Sequence, residues 1–119
     1  MDFFIIAHQR SGSTLLKTLL NENDEVFIPS ESHILIDWCS KDISDIDKKT
    51  FLKSIKHNRL KNWKIPDLKF PISCEEAFTL ILRQQIPKNK KSICLIGDKT
   101  PEYINIIPYL EKNFKNSKF

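Results

Sequence analysis

Eight residues near the amino terminus have the types and spacing to bind an anion: Ala7-His8-Gln9-Arg10-Ser11-Gly12-Ser13-Thr14. They follow an apolar run, Phe3 to Ala7, and lead into a leucine-rich segment of helical spacing. A strand–loop–helix turn of this kind is where a phosphate-like group is cradled. Backbone N–H groups at a helix start have no intrahelical acceptor and converge on one point. The helix dipole adds roughly half a positive charge there. Gly12 lets the backbone approach a ligand. The Ser13 and Thr14 hydroxyls can donate hydrogen bonds, and Arg10 can make a charged, forked contact. A plain turn capped by Ser11 or Ser13 would also be serine-rich, but an arginine gains little there without an anion. A nucleotide-hydrolysing P-loop needs G-x-x-x-x-G-K-[ST]. Here Ala7 replaces its first glycine and Ser13 its lysine, so a γ-phosphate would lose its main cation. The run Ile93 to Ile96 followed by Asp98 resembles a Walker B element and keeps a kinase or NTPase reading open.

The elements that must position this loop alternate between strand and helix. Phe3 to Ala7 reads as a strand buried on both faces. A helix over about Ser13 to Asn21 would bury Leu15, Leu16, Leu19 and Leu20. Val26-Phe27-Ile28 is a short strand stopped by Pro29, and Ser32 to Ser40 fits a helix. Asp47 can cap a helix carrying Phe51, Leu52, Ile55 and Leu60, with Lys48, Lys49, Lys53 and Lys56 on its outer face. Pro66 and Pro71 mark Asn62 to Pro71 as loop. Ser73 and Glu76 form a capping box ahead of a helix burying Ala77, Phe78, Ile81 and Leu82. Ile93 to Ile96 is expected as a buried strand, with Gly97 to Thr100 as its exit loop. Pro101 suits a first helical position with Thr100 as cap, and Pro108 breaks or restarts that helix. Lys118-Phe119 can open a further strand. The expected class is α/β: a parallel, P-loop NTPase-like sheet flanked by helices, incomplete in these residues.

Three ordered segments carry a family resemblance: Phe4 to Leu16 with its Arg10-Ser11-Gly12-Ser13-Thr14 core, then Pro29-Ser30-Glu31-Ser32-His33-Ile34-Leu35, then Asp98-Lys99-Thr100-Pro101-Glu102-Tyr103. Together they resemble the opening of sulfotransferases that use 3′-phosphoadenosine 5′-phosphosulfate (PAPS). Residues 36–92 match nothing recognisable in such enzymes. The resemblance implies that Arg10, Ser11, Gly12, Ser13 and Thr14 hold the 5′-phosphosulfate. It implies in-line transfer of a sulfuryl group to a hydroxyl or amine of a small-molecule or carbohydrate acceptor, with no metal. It places the general base on Glu31, with His33 as rival, and gives Lys99 the leaving group.

The residues themselves allow these roles. Glu31 leaves a strand at the carboxyl edge, where α/β sites lie, and partial burial there would raise its pKa. The plainer alternatives are a first-turn glutamate, a hydrogen-bonded helix histidine, and a solvated lysine paired with Asp98. His8 and His57 have no supporting context. The family's 3′-phosphate segment, an R-D-P-R-like stretch after the next strand, does not occur in residues 1–119. The expectation is therefore the amino-terminal part of one sulfotransferase domain, a fragment or truncated frame that transfers no sulfate alone. A non-catalytic nucleotide-binding fragment is the reading from a different class.

Composition bounds the rest. The 119 residues are 40% hydrophobic and 29% charged, which is globular rather than disordered. A net charge of +4 suits an anionic ligand but does not argue for nucleic acid. The densest basic run, Lys88 to Lys91, reads as solvated loop. Cys39, Cys74 and Cys94 lack metal spacing and read as reduced core thiols of a cytoplasmic protein. No secretory signal or membrane-length apolar run is visible.

Overall fold

Three of the apolar runs become one parallel sheet. In the computed structural model, which describes residues 1–119, β1 (Phe3–Ile5), β2 (Val26–Phe27) and β5 (Leu95–Lys99) lie in the order β1-β5-β2. β5 is central: Gly97, Asp98 and Lys99 pair with β1, and Leu95 and Ile96 pair with β2. A single parallel bridge from Phe3 to Lys118 starts a fourth position beyond β1, as the tail residues suggested. A separate antiparallel ladder joins β3 (Asp45–Ile46) to β4 (Ile72–Ser73), a pairing the sequence did not announce.

Five α-helices connect these strands: α1 (Ser13–Asn21), α2 (Ile34–Ser40), α3 (Lys48–Ile55), α4 (Cys74–Arg83) and α5 (Ile107–Asn113). The Asp47 side chain accepts from the Thr50 amide and caps α3. Ser73 accepts from the Glu76 amide at the start of α4. Leu60 lies in a separate 3-10 turn, Asn58–Leu60, rather than in α3. Pro101 opens a 3-10 segment to Ile106, and α5 restarts around Pro108. Burial concentrates on one face of the sheet. Phe4 and Ile96 meet Ala77, Phe78, Ile81 and Leu82 of α4, Trp38 of α2, and Leu110 and Phe114 beyond them. The Phe4 ring stacks on Phe78 and meets Phe114 edge-on.

Several expectations fail, each for a physical reason. β1 is buried at Phe4 alone, because its other face is only partly covered. The leucines of α1 are not its buried stripe: Leu15, Leu16 and Leu19 are exposed and Leu20 half-buried. The helix turns Ser13 and Lys17 inward instead, one helical turn apart on the same side. The central strand starts and ends later than expected. Cys94 and Leu95 are exposed, while Ile96 to Thr100 are buried. Glycine followed by two charged residues resembled a loop, yet a neighbouring strand and polar partners hold them in the ladder. Gly97 is needed there, because the Phe3 ring lies where a Cβ would stand. Among the cysteines only Cys74 is buried. Lys90 is not merely solvated: its ammonium donates to the carbonyls of Asn21 and Val26, tying the α1 end to β2.

Candidate functional site

Strand alternation sets the site. On β5, Ile96 and Asp98 face the Phe4 core, so Lys99 projects to the side of α1. There its side chain is 4% exposed and its ammonium lies 2.5 Å from Glu31 Oε1 and 3.4 Å from Thr14 Oγ1. Lys99 is thus enclosed in a charged pair rather than solvated, and Asp98 is not its partner. Glu31 sits just past β2, in the turn leading to α2. Its second oxygen lies 3.5 Å from His33 Nε2, and His33 Nδ1 lies 3.7 Å from Glu102 Oε2. Gln9 of the loop donates to Glu102 Oε1 at 3.3 Å. The three segments singled out from the sequence therefore meet at one edge of the sheet.

The loop side of the site is built around α1. Gly12 is its N-cap, in left-handed backbone at φ 85, and no side chain caps the helix. Neither Ser11 nor Ser13 plays the capping role. Ser11 Oγ instead donates to the His8 carbonyl at 2.6 Å and braces the turn. Ser13 is buried, and Thr14 is exposed and turned to Lys99. Arg10 is exposed and also left-handed, at φ 59. His33 shares that backbone region at φ 60. Such conformations cost on the order of 1–3 kcal/mol each and gather where the surroundings fix a side chain for use.

Charges shift in ways that burial alone does not give. Burial pushes the Glu31 carboxyl up, but the Lys99 hydrogen bond and charge, helped by His33, outweigh it and hold Glu31 below its ordinary value. That corrects the expectation of a raised pKa: Glu31 is ionised at neutral pH. Burial, then the Lys99 charge, lowers the Lys17 ammonium, against the opposing pull of Glu31 and Asp98. Asp98 is fully buried, and desolvation drives its carboxyl up to about 7 despite the Thr100 and Tyr103 hydroxyls. Thr100 Oγ1 donates to one Asp98 oxygen at 3.1 Å, and the other has no partner.

Lys17 and Glu102 belong to this network and were missed from the sequence. Lys17 was visible in principle, four residues after Ser13 on the same helix face. Glu102 lay inside a recognised segment but had no signal of its own. Ligand-type atoms of Glu31, His33 and Glu102 fall within 4.8 Å of one another. The Lys99 ammonium already pairs with Glu31 of that cluster. The arrangement as a whole sets the amino terminus of α1, which no side chain caps, and the Lys99 ammonium beside an ionised carboxylate. No helix is long and apolar enough to cross a membrane. No curated protein matches the chain. A family model described as the sulfotransferase family matches residues 2–119, and the chain belongs to that family.

Proposed function

We propose that this chain carries the donor end and the base of a PAPS-dependent sulfotransferase on a P-loop-like sheet. The carrying observation is the Lys99–Glu31 pair beside Thr14, at the uncapped start of α1. The 5′-phosphosulfate lies against the α1 amides, with Arg10, Gly12, Ser13 and Thr14 around it. Ser11 serves by holding the loop. An acceptor hydroxyl on the Glu31 side gives its proton to that carboxylate as its oxygen bonds to sulfur. The bond between sulfur and the bridging phosphate oxygen breaks, and its electrons leave on the adenosine bisphosphate. Lys99 neutralises the charge that develops there, which is where a fixed cation helps most. The lowered Glu31 pKa favours the ionised form that accepts a proton. The donor and the acceptor class rest on the family and on this geometry.

Turnover of labelled PAPS by the whole protein tests the assignment. Glu31→Gln keeps the size of the side chain but removes the base. General base catalysis contributes about 10²–10⁴-fold, so most transfer disappears while bisphosphate affinity stays. Near-normal transfer in Glu31→Gln, with collapse in His33→Ala, moves the base to His33.

A further inference from the structure

We infer that a groove between α2 and α3 holds an anionic group of the acceptor, about one α2 length from the reacting hydroxyl. This rests on the sulfotransferase reading of the Glu31 site and names the acceptor class that the reading leaves open. Two cavities carry it. One, of about 100 Å³, is lined by Ser32 and His33 at the edge of the Glu31 network, and by Arg59. The other, of about 250 Å³, is lined by Lys41 and Lys53. Asp37, Ser54 and His57 line both, so the two lie side by side.

The groove has a fixed floor and cations along its length. Trp38 Nε1 donates to Ser54 Oγ at 2.8 Å, and Ser54 donates to the Thr50 carbonyl at 2.9 Å, which locks α2 to α3. Lys41, Lys53 and Arg59 bring three cations against one acid, Asp37. None of these cations makes an ion pair within the chain, whereas Lys99 and Lys112 do. More positive charge stands close by on α3, at Lys48, Lys49 and Lys56. His33 and Lys41 flank the two ends of α2, whose seven residues span ~10 Å at 1.5 Å per residue. An acceptor whose hydroxyl reaches Glu31 must therefore extend along α2 to meet Lys41 and Lys53. That geometry fits an elongated molecule bearing a carboxylate or sulfate, such as an acidic oligosaccharide. A groove between two helices suits such a chain better than a flat anionic membrane.

Binding without turnover separates this inference from the reading beneath it. The whole protein is titrated with a uronic-acid tetrasaccharide and with its carboxyl-reduced, neutral counterpart. A sulfated neutral tetrasaccharide distinguishes sulfate from carboxylate as the bound group. The acidic sugars bind more tightly, and added salt weakens them. Exposed charge pairs are individually weak, and reversal replaces attraction with repulsion, so Lys41→Glu with Lys53→Glu weakens binding roughly tenfold. Adenosine 3′,5′-bisphosphate affinity, measured on the same samples, stays unchanged in that variant. Loss of bisphosphate binding by the unaltered protein would sink the sulfotransferase reading instead. Equal binding of acidic and neutral sugars, no binding of either, or acidic binding untouched by the double reversal overturns the groove assignment. So does charge-dependent binding to phosphatidylserine vesicles in place of the sugars.

Discussion

In α4 the residues Ala77, Phe78, Ile81 and Leu82 are completely buried, whereas in α1 Leu15, Leu16 and Leu19 are 64%, 46% and 54% exposed. Both helices show apolar periodicity, and both border β5. The difference lies in what each turns toward the sheet. α4 meets the Phe4 and Ile96 face and closes the core. α1 meets the other side of the sheet, where Lys99 projects, and offers Ser13, Thr14 and Lys17 rather than leucine. One helix is placed by hydrophobic burial, and the other by the strand–loop turn that aims its amino terminus. An amphipathic pattern thus identifies a helix, but not whether its apolar or its polar side faces inward.

Substitutions can break this comparison. Phe78→Ala in α4 removes a fully buried ring that contacts Phe4, Trp38 and Phe114. Its expected cost is about 3–5 kcal/mol in urea unfolding; a loss below 1 kcal/mol would show that α4 does not carry the core. The next effect appears against pH, in Asp98→Asn. The carboxyl is raised from 3.8 to about 7 in the fold, so the folded state binds the extra proton between those values. Wild-type stability then falls as pH rises through that window, and the variant lacks this fall. Parallel melting curves of the two proteins from pH 4 to 7 would show that Asp98 is not held neutral. On the α1 side, Lys17→Gln removes a half-buried cation facing Lys99 and Glu31. Bisphosphate affinity is expected to drop roughly threefold, as for a partly solvated charge, with little change in stability. Smallest of all, Leu16→Ser should change stability by no more than about 0.5 kcal/mol. A cost like that of Phe78→Ala would mean that α1 buries its leucines after all.

Much of this division was legible in the residues. Capping by Asp47 and Ser73 is local chemistry, and the α4 stripe matches its period, so both stand as expected. The convergence of Thr14, Glu31, His33 and Lys99 followed from strand ends sharing one edge of a parallel sheet. What could not be read depends on contacts distant in sequence. The extent of β5 is set by pairing with β1, more than ninety residues earlier, against the local loop signal of Gly97-Asp98-Lys99. The lowered Glu31 pKa depends on Lys99 lying 2.5 Å away, which no spacing announces. Lys90 resembled a solvated charge because its acceptors, the α1 and β2 carbonyls, lie over sixty residues away.

The proposed sulfuryl transfer rests on the uncapped α1 terminus and on Arg10 just before it. Calorimetric titration of adenosine 3′,5′-bisphosphate into the whole protein and into Arg10→Ala probes it without acceptor or turnover. A charged hydrogen bond is worth about 1.5–3 kcal/mol, so the expected result is tight binding weakened roughly ten- to a hundredfold by the substitution. Equal affinity in the two proteins would contradict a phosphosulfate site at this loop.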